Sequence, residues 1–240
     1  MGISISWRGV RGQRTKDNRD WCGVGLQATS ALCALLDGST SGPASGELAR
    51  QVAEVLADWF TTEVDVTSEK IVDRIRALHD GLACRFRQDS ASLLIAHVDI
   101  DGSAILLNVG DCVAGVNASG EIAWKTRPHT LANPVRDLPI QEISVSPLRH
   151  HLTRSFRSRE FQTPDEYELL LKEDEALVLA TDGFWASLDA EAQSNFFDNL
   201  DLGNAACDDD CSALFIKFDG RQGITVANPH ADNFIMRKSG

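Results

Sequence analysis

The sequence predicts an α+β domain, on three observations. Two segments with apolar residues at three-to-four spacing stand together early in the chain, a series of short period-two segments follows them, and a last helix and strand close the pattern. Helices and strands grouped in runs favour stacked α and β layers over a doubly wound parallel sheet.

Taken in order, Ile3 to Trp7 reads as an edge strand, and Arg8 to Asp20 as a basic turn region containing glycine. Leu32 to Leu36 is a short apolar run that stops at Asp37-Gly38. From Gly46 to Phe60, Leu48, Val52, Val55, Leu56 and Trp59 share one helical face. A second helix is predicted from Ser68 to Arg87 on Ile71, Ile75, Leu78 and Leu82, with Ser68 as N-cap. The period then changes to two. Ser92–Ile100, Ser103–Val109, Val113–Val116 and Ile122–Trp124 read as strands, the first two joined by the hairpin signal Asp101-Gly102. Arg127 to Ser155 holds four prolines and no periodicity, which predicts an irregular flap. Leu169–Leu171 and Ala176–Ala180 are predicted strands, Phe184–Leu200 a helix and Ser212–Phe218 a final strand. One domain is expected over residues 1–218, with 219–240 as a C-terminal extension that could add a strand or dock on the body.

Composition narrows the function. The 240 residues are 43% hydrophobic and carry 35 Asp and Glu against 23 Lys and Arg, a net charge of −12. That charge disfavours neutralising a nucleic-acid backbone, and phosphate would be repelled unless metal ions intervene. The longest apolar runs, Ala31–Leu36 and Ala176–Ala180, fall far short of the roughly 20 residues that cross a bilayer. The first ten residues lack a signal-peptide pattern, so the expected location is cytoplasmic. The six cysteines are scattered and read mostly as small buried hydrophobes; Cys207 and Cys211 lie beside three aspartates but have no nearby His or Cys to complete a zinc site.

Several acids recur where an apolar run stops. Asp37 follows one such run, Asp111 another and Asp182 a third, while Asp208 to Asp210 precede the final strand. Strand ends can aim side chains at a shared point, and Mg²⁺ and Mn²⁺ prefer carboxylate, carbonyl and water oxygens. The competing explanation is turn chemistry, since Asp-Gly occurs at 37, 80, 101, 182 and 219. Asp101-Gly102 lies between two strands and is a hairpin turn. Asp37-Gly38 and Asp182-Gly183 are followed by helices and remain candidate ligands.

The motifs Asp37-Gly38, Gly46-Glu47-Leu48-Ala49, Ser90-Ala91-Ser92, Asn108-Val109-Gly110-Asp111, Leu152-Thr153-Arg154-Ser155, Ala180-Thr181-Asp182-Gly183-Phe184-Trp185 and Asp209-Asp210-Cys211-Ser212 occur in an order that resembles the PP2C-type metal-dependent serine/threonine protein phosphatases, over residues 8 to 218. The resemblance implies a four-layer αββα sandwich with two central antiparallel sheets and a binuclear Mg²⁺ or Mn²⁺ site at one end. It implies that Asp37 bridges both ions, that the Gly38 carbonyl completes the second, and that Asp182 and Asp209 hold the first. Asp111 and Asp182 match positions of a third, weaker ion. In the opening motif Asp20 fits, Arg19 replaces a Glu that Asp17 could compensate, and Arg14 resembles the arginine that grips substrate phosphate, one residue further from the triplet than the pattern has it. Asp232-Asn233 mimics the final acidic motif, but Asp209 precedes a β-rich run at the expected distance and is preferred.

Two departures concern proton transfer. Ser39 follows Asp37-Gly38 where many members have His, so water or another residue must protonate the leaving group. His129, at the start of the flap, reads as a surface residue rather than a catalyst. The expected activity is hydrolysis of phosphoserine or phosphothreonine on proteins by a water that paired cations acidify, with Arg14 on the phosphate and no covalent intermediate. Expected partners are a phosphorylated protein and a cognate kinase, with no nucleic acid or membrane, and the chain is expected to be a monomer. Two rivals are a catalytically weak domain that binds a phosphoprotein or kinase, and a hydrolase of small phosphate esters.

Overall fold

Side-chain alternation along the strands sorts the apolar residues into three layers of core in the computed structural model, which describes residues 2–118, 120–134, 138–197 and 207–240. The elements are β1 (Gly2–Val10), β2 (Asp20–Leu26), β3 (Ser30–Gly38), α1 (Ser45–Thr62), α2 (Ser68–Leu82), β4 (Ser90–Asp99), β5 (Ser103–Val109), β6 (Val113–Asn117), β7 (Ile122–Trp124), α3 (Ile140–Ser144), β8 (Phe156–Arg157), β9 (Asp165–Leu170), β10 (Ala176–Ala180), α4 (Asp182–Trp185), α5 (Ala190–Phe197), β11 (Cys211–Asp219), β12 (Ile224–Val226) and β13 (Phe234–Lys238). One sheet runs β12-β1-β11-β10-β6-β7; the other runs β13-β2-β3-β4-β5-β9, with β8 beside β4. Neighbours are antiparallel except for β12 on β1 and β13 on β2.

Strand β3 explains the layering. Its odd residues Cys33 and Leu35 pack with Ile5, Leu177, Leu214 and Ile216 between the sheets. Its even residues Leu32, Ala34 and Leu36 lie under Leu48, Val52 and Leu56 of α1 and Ile71 and Ile75 of α2. A strand covered on both faces reads as an unbroken apolar run, as this one does. On the far side, Val178 and Ala180 of β10 meet Phe184, Trp185 and Phe196. The four-layer α+β sandwich is therefore present, with mixed sheets in place of purely antiparallel ones.

Several boundaries differ from expectation for local reasons. Thr67, not Ser68, caps α2, its hydroxyl accepting from the Lys70 N–H. That helix ends at Leu82 rather than Arg87. The predicted helix 184–200 is two pieces, because Asp189 accepts the Ala192 N–H and starts α5 afresh; its last residues, 198–200, lie outside the described residues. Strand β2, read as the end of a turn region and an unassigned stretch, runs from Asp20 to Leu26 although it contains two glycines. The segment expected as an extension supplies β12 to one sheet and β13 to the other, so β1 is not an edge strand. Phe234 of β13 stacks on Trp7, ring centroids 6.4 Å apart, and the Trp7 indole donates to the Asp232 carbonyl at 2.9 Å. Among the described residues no helix is long and apolar enough to cross a membrane.

Candidate metal centre

The two sheets deliver carboxylates to one end of the sandwich. In the β2–β3 pairing Asp20 lies directly opposite Asp37, so both side chains leave the same face, the one turned toward the other sheet. Asp111 follows β5, Asp182 opens α4 just beyond β10, and Asp209 precedes β11. Asp37, Asp111, Asp182 and Asp209 line one cavity of about 520 Å³, with Arg14, Ser39, Ser92, His150 and His151 also on its walls. The sequence-predicted acids are thus brought together, with Asp20 buried beneath them.

Small residues make this convergence possible. A Cβ on Gly38 would come 2.7 Å from the Ser45 carbonyl, so glycine lets the end of β3 pass under the start of α1. Gly110 has φ +132°, a backbone conformation that favours glycine, and a Cβ there would strike Ser92. Ser92 clamps the next residue: its hydroxyl accepts the Asp111 N–H at 3.0 Å and donates to Asp111 Oδ1. The Trp185 indole donates to the Asp111 carbonyl at 2.9 Å, tying this loop to α4.

Burial raises Asp20, Asp37, Asp111 and Asp182 above the ordinary carboxylate range. Asp37 is raised by burial and then by Asp20, Asp182, Asp111 and Asp209 around it. Asp20 is raised by burial and by Asp210. Burial, with Asp182 adding to it, pushes Asp111 up to about 7 against the Ser92 hydrogen bond and Arg149. Asp182 is raised by burial and Asp209, with Arg149 opposing. A set of acids that repel one another in a shielded place is chemically matched to hard divalent cations. Asp20 carries the same signature: Oδ2 accepts from the Thr181 hydroxyl at 3.0 Å, while Oδ1 is buried without a partner.

Arginines answer part of this charge. Arg149, from the 3₁₀ turn Pro147–His150 of the flap, reaches Asp182 Oδ2 at 2.7 Å, with side-chain exposures of 13% and 8%. Arg14 reaches Asp209 Oδ2 at 2.7 Å from the rim. Among the described residues no three His, Cys, Asp or Glu side chains are gathered tightly enough to grip a cation as they stand. The donors fit a divalent ion by chemistry and direction, with two of them engaged by guanidinium groups.

Asp210 and Arg149 were given no role of their own in the sequence. Asp210 is buried and accepts from the Gly12 and Arg19 N–H groups, both at 2.8 Å, which pins the loop carrying Arg14. Only a run of three aspartates marked it. Arg149 lay in the aperiodic flap with no pattern to mark it. Asp17 is exposed and lies off the cavity wall. Asn233 donates to the Asn18 and Asp20 carbonyls at 2.8 and 2.7 Å, so the tail braces the start of β2, while Asp232 stays off the cavity wall.

His129 is not a surface residue. Its Nδ1 accepts the Gly110 N–H at 3.0 Å, leaving Nε2 to face Asp165 at 2.9 Å and Arg154 at 3.1 Å. It joins the flap to the glycine before Asp111. Burial lowers its pKa against the pull of Asp165.

No protein-family model and no curated protein matches the sequence. Solved structures do match. A serine/threonine phosphatase of S. agalactiae is 20% identical with a TM-score of 0.75, covering 90% of this chain and 100% of its own. Stp1 from Staphylococcus aureus, a serine/threonine phosphatase, is 19% identical with a TM-score of 0.77, covering 90% and 95%. The catalytic domain of the serine/threonine protein phosphatase PstP, in complex with two manganese ions, is 18% identical with a TM-score of 0.70, covering 90% and 97%. Layer order and these likenesses agree that the chain has the fold of bacterial serine/threonine phosphatases.

Proposed function

We propose that the chain hydrolyses phosphoserine and phosphothreonine monoesters on proteins in a reaction that depends on Mg²⁺ or Mn²⁺. The observation that carries this reading is the meeting of Asp37, Asp111, Asp182 and Asp209 on one open cavity, above the half-satisfied Asp20. Asp37, Asp182 and Asp209 are the residues that would hold divalent cation, with Asp111 and the Gly38 carbonyl as further donors. When bound, the metal supplies Lewis acidity to an attacking water and to phosphoryl oxygens.

The remaining work falls to the chain. Arg14 is 44% exposed on the rim, and its guanidinium fork suits a phosphoryl group once Asp209 is otherwise engaged. Ser92 and Trp185 hold Asp111 still, so little rearrangement is needed during the reaction. Ser39 brings no imidazole, and His150 and His151 on the wall are the groups able to pass a proton to the leaving oxygen. The open mouth suits a peptide-borne phosphate, and the substrate is a phosphoprotein whose modification a kinase supplies.

A second reading has its own observation. The Arg149–Asp182 pair already neutralises an acid on the cavity wall, which suits a domain that binds phosphoproteins or a kinase without turnover. Turnover of p-nitrophenyl phosphate with Mn²⁺ separates the two: release that EDTA abolishes supports the enzyme, and no release at any Mn²⁺ concentration supports the binding module. A phosphopeptide compared with a sugar phosphate decides the substrate class.

A further inference from the structure

The position of Arg19 bears on how many ions the site takes. The residue stands in the opening motif where the resemblance has a glutamate, which exchanges a negative side chain for a positive one beside Asp20. Its Nη1 donates to three carbonyls of one loop: Ser39 at 2.8 Å, Thr40 at 3.2 Å and Gly42 at 2.7 Å. Backbone carbonyls of a short loop turned toward one point are the oxygen donors a hard cation uses. Here a guanidinium nitrogen occupies that point.

The residue is fixed from every side. Its N–H donates to Asp210 Oδ2 at 2.8 Å, and its own carbonyl accepts the Gly38 N–H at 3.2 Å. Its side-chain stem runs along the first turn of α1, where a Cβ on Gly46 would lie 3.2 Å from Arg19 Cγ. Arg14 and Arg149 are placed differently. Each pairs with a carboxylate on the cavity wall, and a divalent ion can take over either carboxylate by stronger attraction. Arg19 is held by neutral carbonyls, so an incoming ion would gain no carboxylate by displacing it. An ion seated between Asp37 and the Gly38 carbonyl would find one carboxylate and a fixed positive charge on the adjoining loop.

We propose that the Arg19 guanidinium, lodged on the Ser39, Thr40 and Gly42 carbonyls, puts a fixed positive charge on the loop after Gly38 that keeps a second divalent ion out, so that the site holds one tightly bound cation where the PstP catalytic domain was solved with two. This rests on the metal-dependent reading above. It makes the chain's own arginine, rather than a second exchangeable ion, the positive charge held by the loop that follows Gly38. Asp37 then serves a single ion together with Asp182 and Asp209.

The test is Mn²⁺ titration of the whole chain by calorimetry, with electron paramagnetic resonance on the loaded protein. One tightly bound Mn²⁺ with the six-line spectrum of an isolated ion is expected for the wild type. Arg19→Glu is expected to bind two, with the spectrum broadened by coupling between neighbouring ions. Should that variant not fold, Arg19→Gln removes the charge alone and is expected to admit a second, weaker ion. Two tightly bound, coupled ions in the wild type would overturn the proposal and leave metal dependence intact, as would folded Arg19 variants that stay at one ion. No tight binding by the wild type would overturn the metal-dependent reading and this proposal with it.

Discussion

Asp20 and Asp37 face each other across β2 and β3, two carboxylates on one face of a tightly paired ladder. Opposed like charges destabilise a sheet unless something neutralises them. Burial raises the proton affinity of both groups, Asp20 adding to it at Asp37 and Asp210 at Asp20, and Asp20 Oδ1 is buried without a hydrogen-bond partner. The end of the sandwich carries strain that a proton or a divalent cation relieves.

The stability of metal-free protein is expected to fall as pH rises. Asp111 titrates near 7 in the folded protein and in the ordinary carboxylate range, about 4, when unfolded. The folded state therefore binds more protons between those values, and the contribution of Asp111 to stability declines from about pH 4 to about pH 7. Asp37, Asp20 and Asp182 act in the same direction. Thermal melts in EDTA are expected to give a lower Tm at pH 7.5 than at pH 5.5, with Mn²⁺ raising the Tm at pH 7.5.

Asp37→Asn removes one of the opposed charges. Its Tm in EDTA at pH 7.5 is expected to exceed that of the wild type, while stabilisation by Mn²⁺ is lost and phosphatase activity falls at least about 100-fold. Melting curves with and without Mn²⁺, beside phosphate-release rates, check both halves.

Arg149→Ala takes the guanidinium off Asp182. Without metal the carboxylate is left buried and unpaired, and a loss of about 2 kcal/mol in stability is expected at neutral pH. Mn²⁺ then meets no competing cation there, so its affinity is expected to rise roughly tenfold, a change of about 1.4 kcal/mol. Denaturant titration and calorimetry measure the two effects, which have opposite signs.

Ser92→Ala breaks both bonds that clamp Asp111. The Asp111 N–H is left buried without its acceptor, which costs about 1–3 kcal/mol. Loss of the hydroxyl that favours the ionised carboxylate is also expected to steepen the pH dependence of stability above pH 6. Chemical denaturation at pH 6 and pH 8 tests this.

Phe234→Ala tests the role of the tail. The ring is buried against Trp7 and joins β13 to the core between the sheets, so a loss of about 3–5 kcal/mol is expected. A frayed tail would give no measurable change in urea midpoint.

Much of the fold was legible because its core strands are covered on both faces. Leu32–Leu36 and Ala176–Ala180 are unbroken apolar runs for that reason, and Asp101-Gly102 marks its hairpin without tertiary help. Strand β2 escaped because Gly23 and Gly25 interrupt its pattern; both are needed where α1 crosses, since a Cβ on Gly23 would collide with Ala53 of that helix. A strand from the tail was one of the expected outcomes, but its partners were not legible because they are distant in sequence, β12 on β1 and β13 on β2.

Asp37, Asp111 and Asp182 were legible from their positions at the ends of apolar runs and Asp209 from its place before the expected final strand, Asp20 came from the resemblance alone, and the structure brings all five to one end. The cations beside them were not. Arg149 lies in an aperiodic flap, and Arg19 looked like the loss of a ligand until its bonds to three carbonyls were visible. A side chain's partners across the fold leave no local periodicity to read.

Phosphate release from a phosphothreonine peptide by the whole chain, with Mn²⁺, with EDTA and in parallel with Asp37→Asn, tests the central claim most directly. Release that requires Mn²⁺ and is lost in the variant is the predicted result. Undiminished release in EDTA or by Asp37→Asn, or none by the wild type across Mn²⁺ concentrations that saturate its thermal stabilisation, would contradict it.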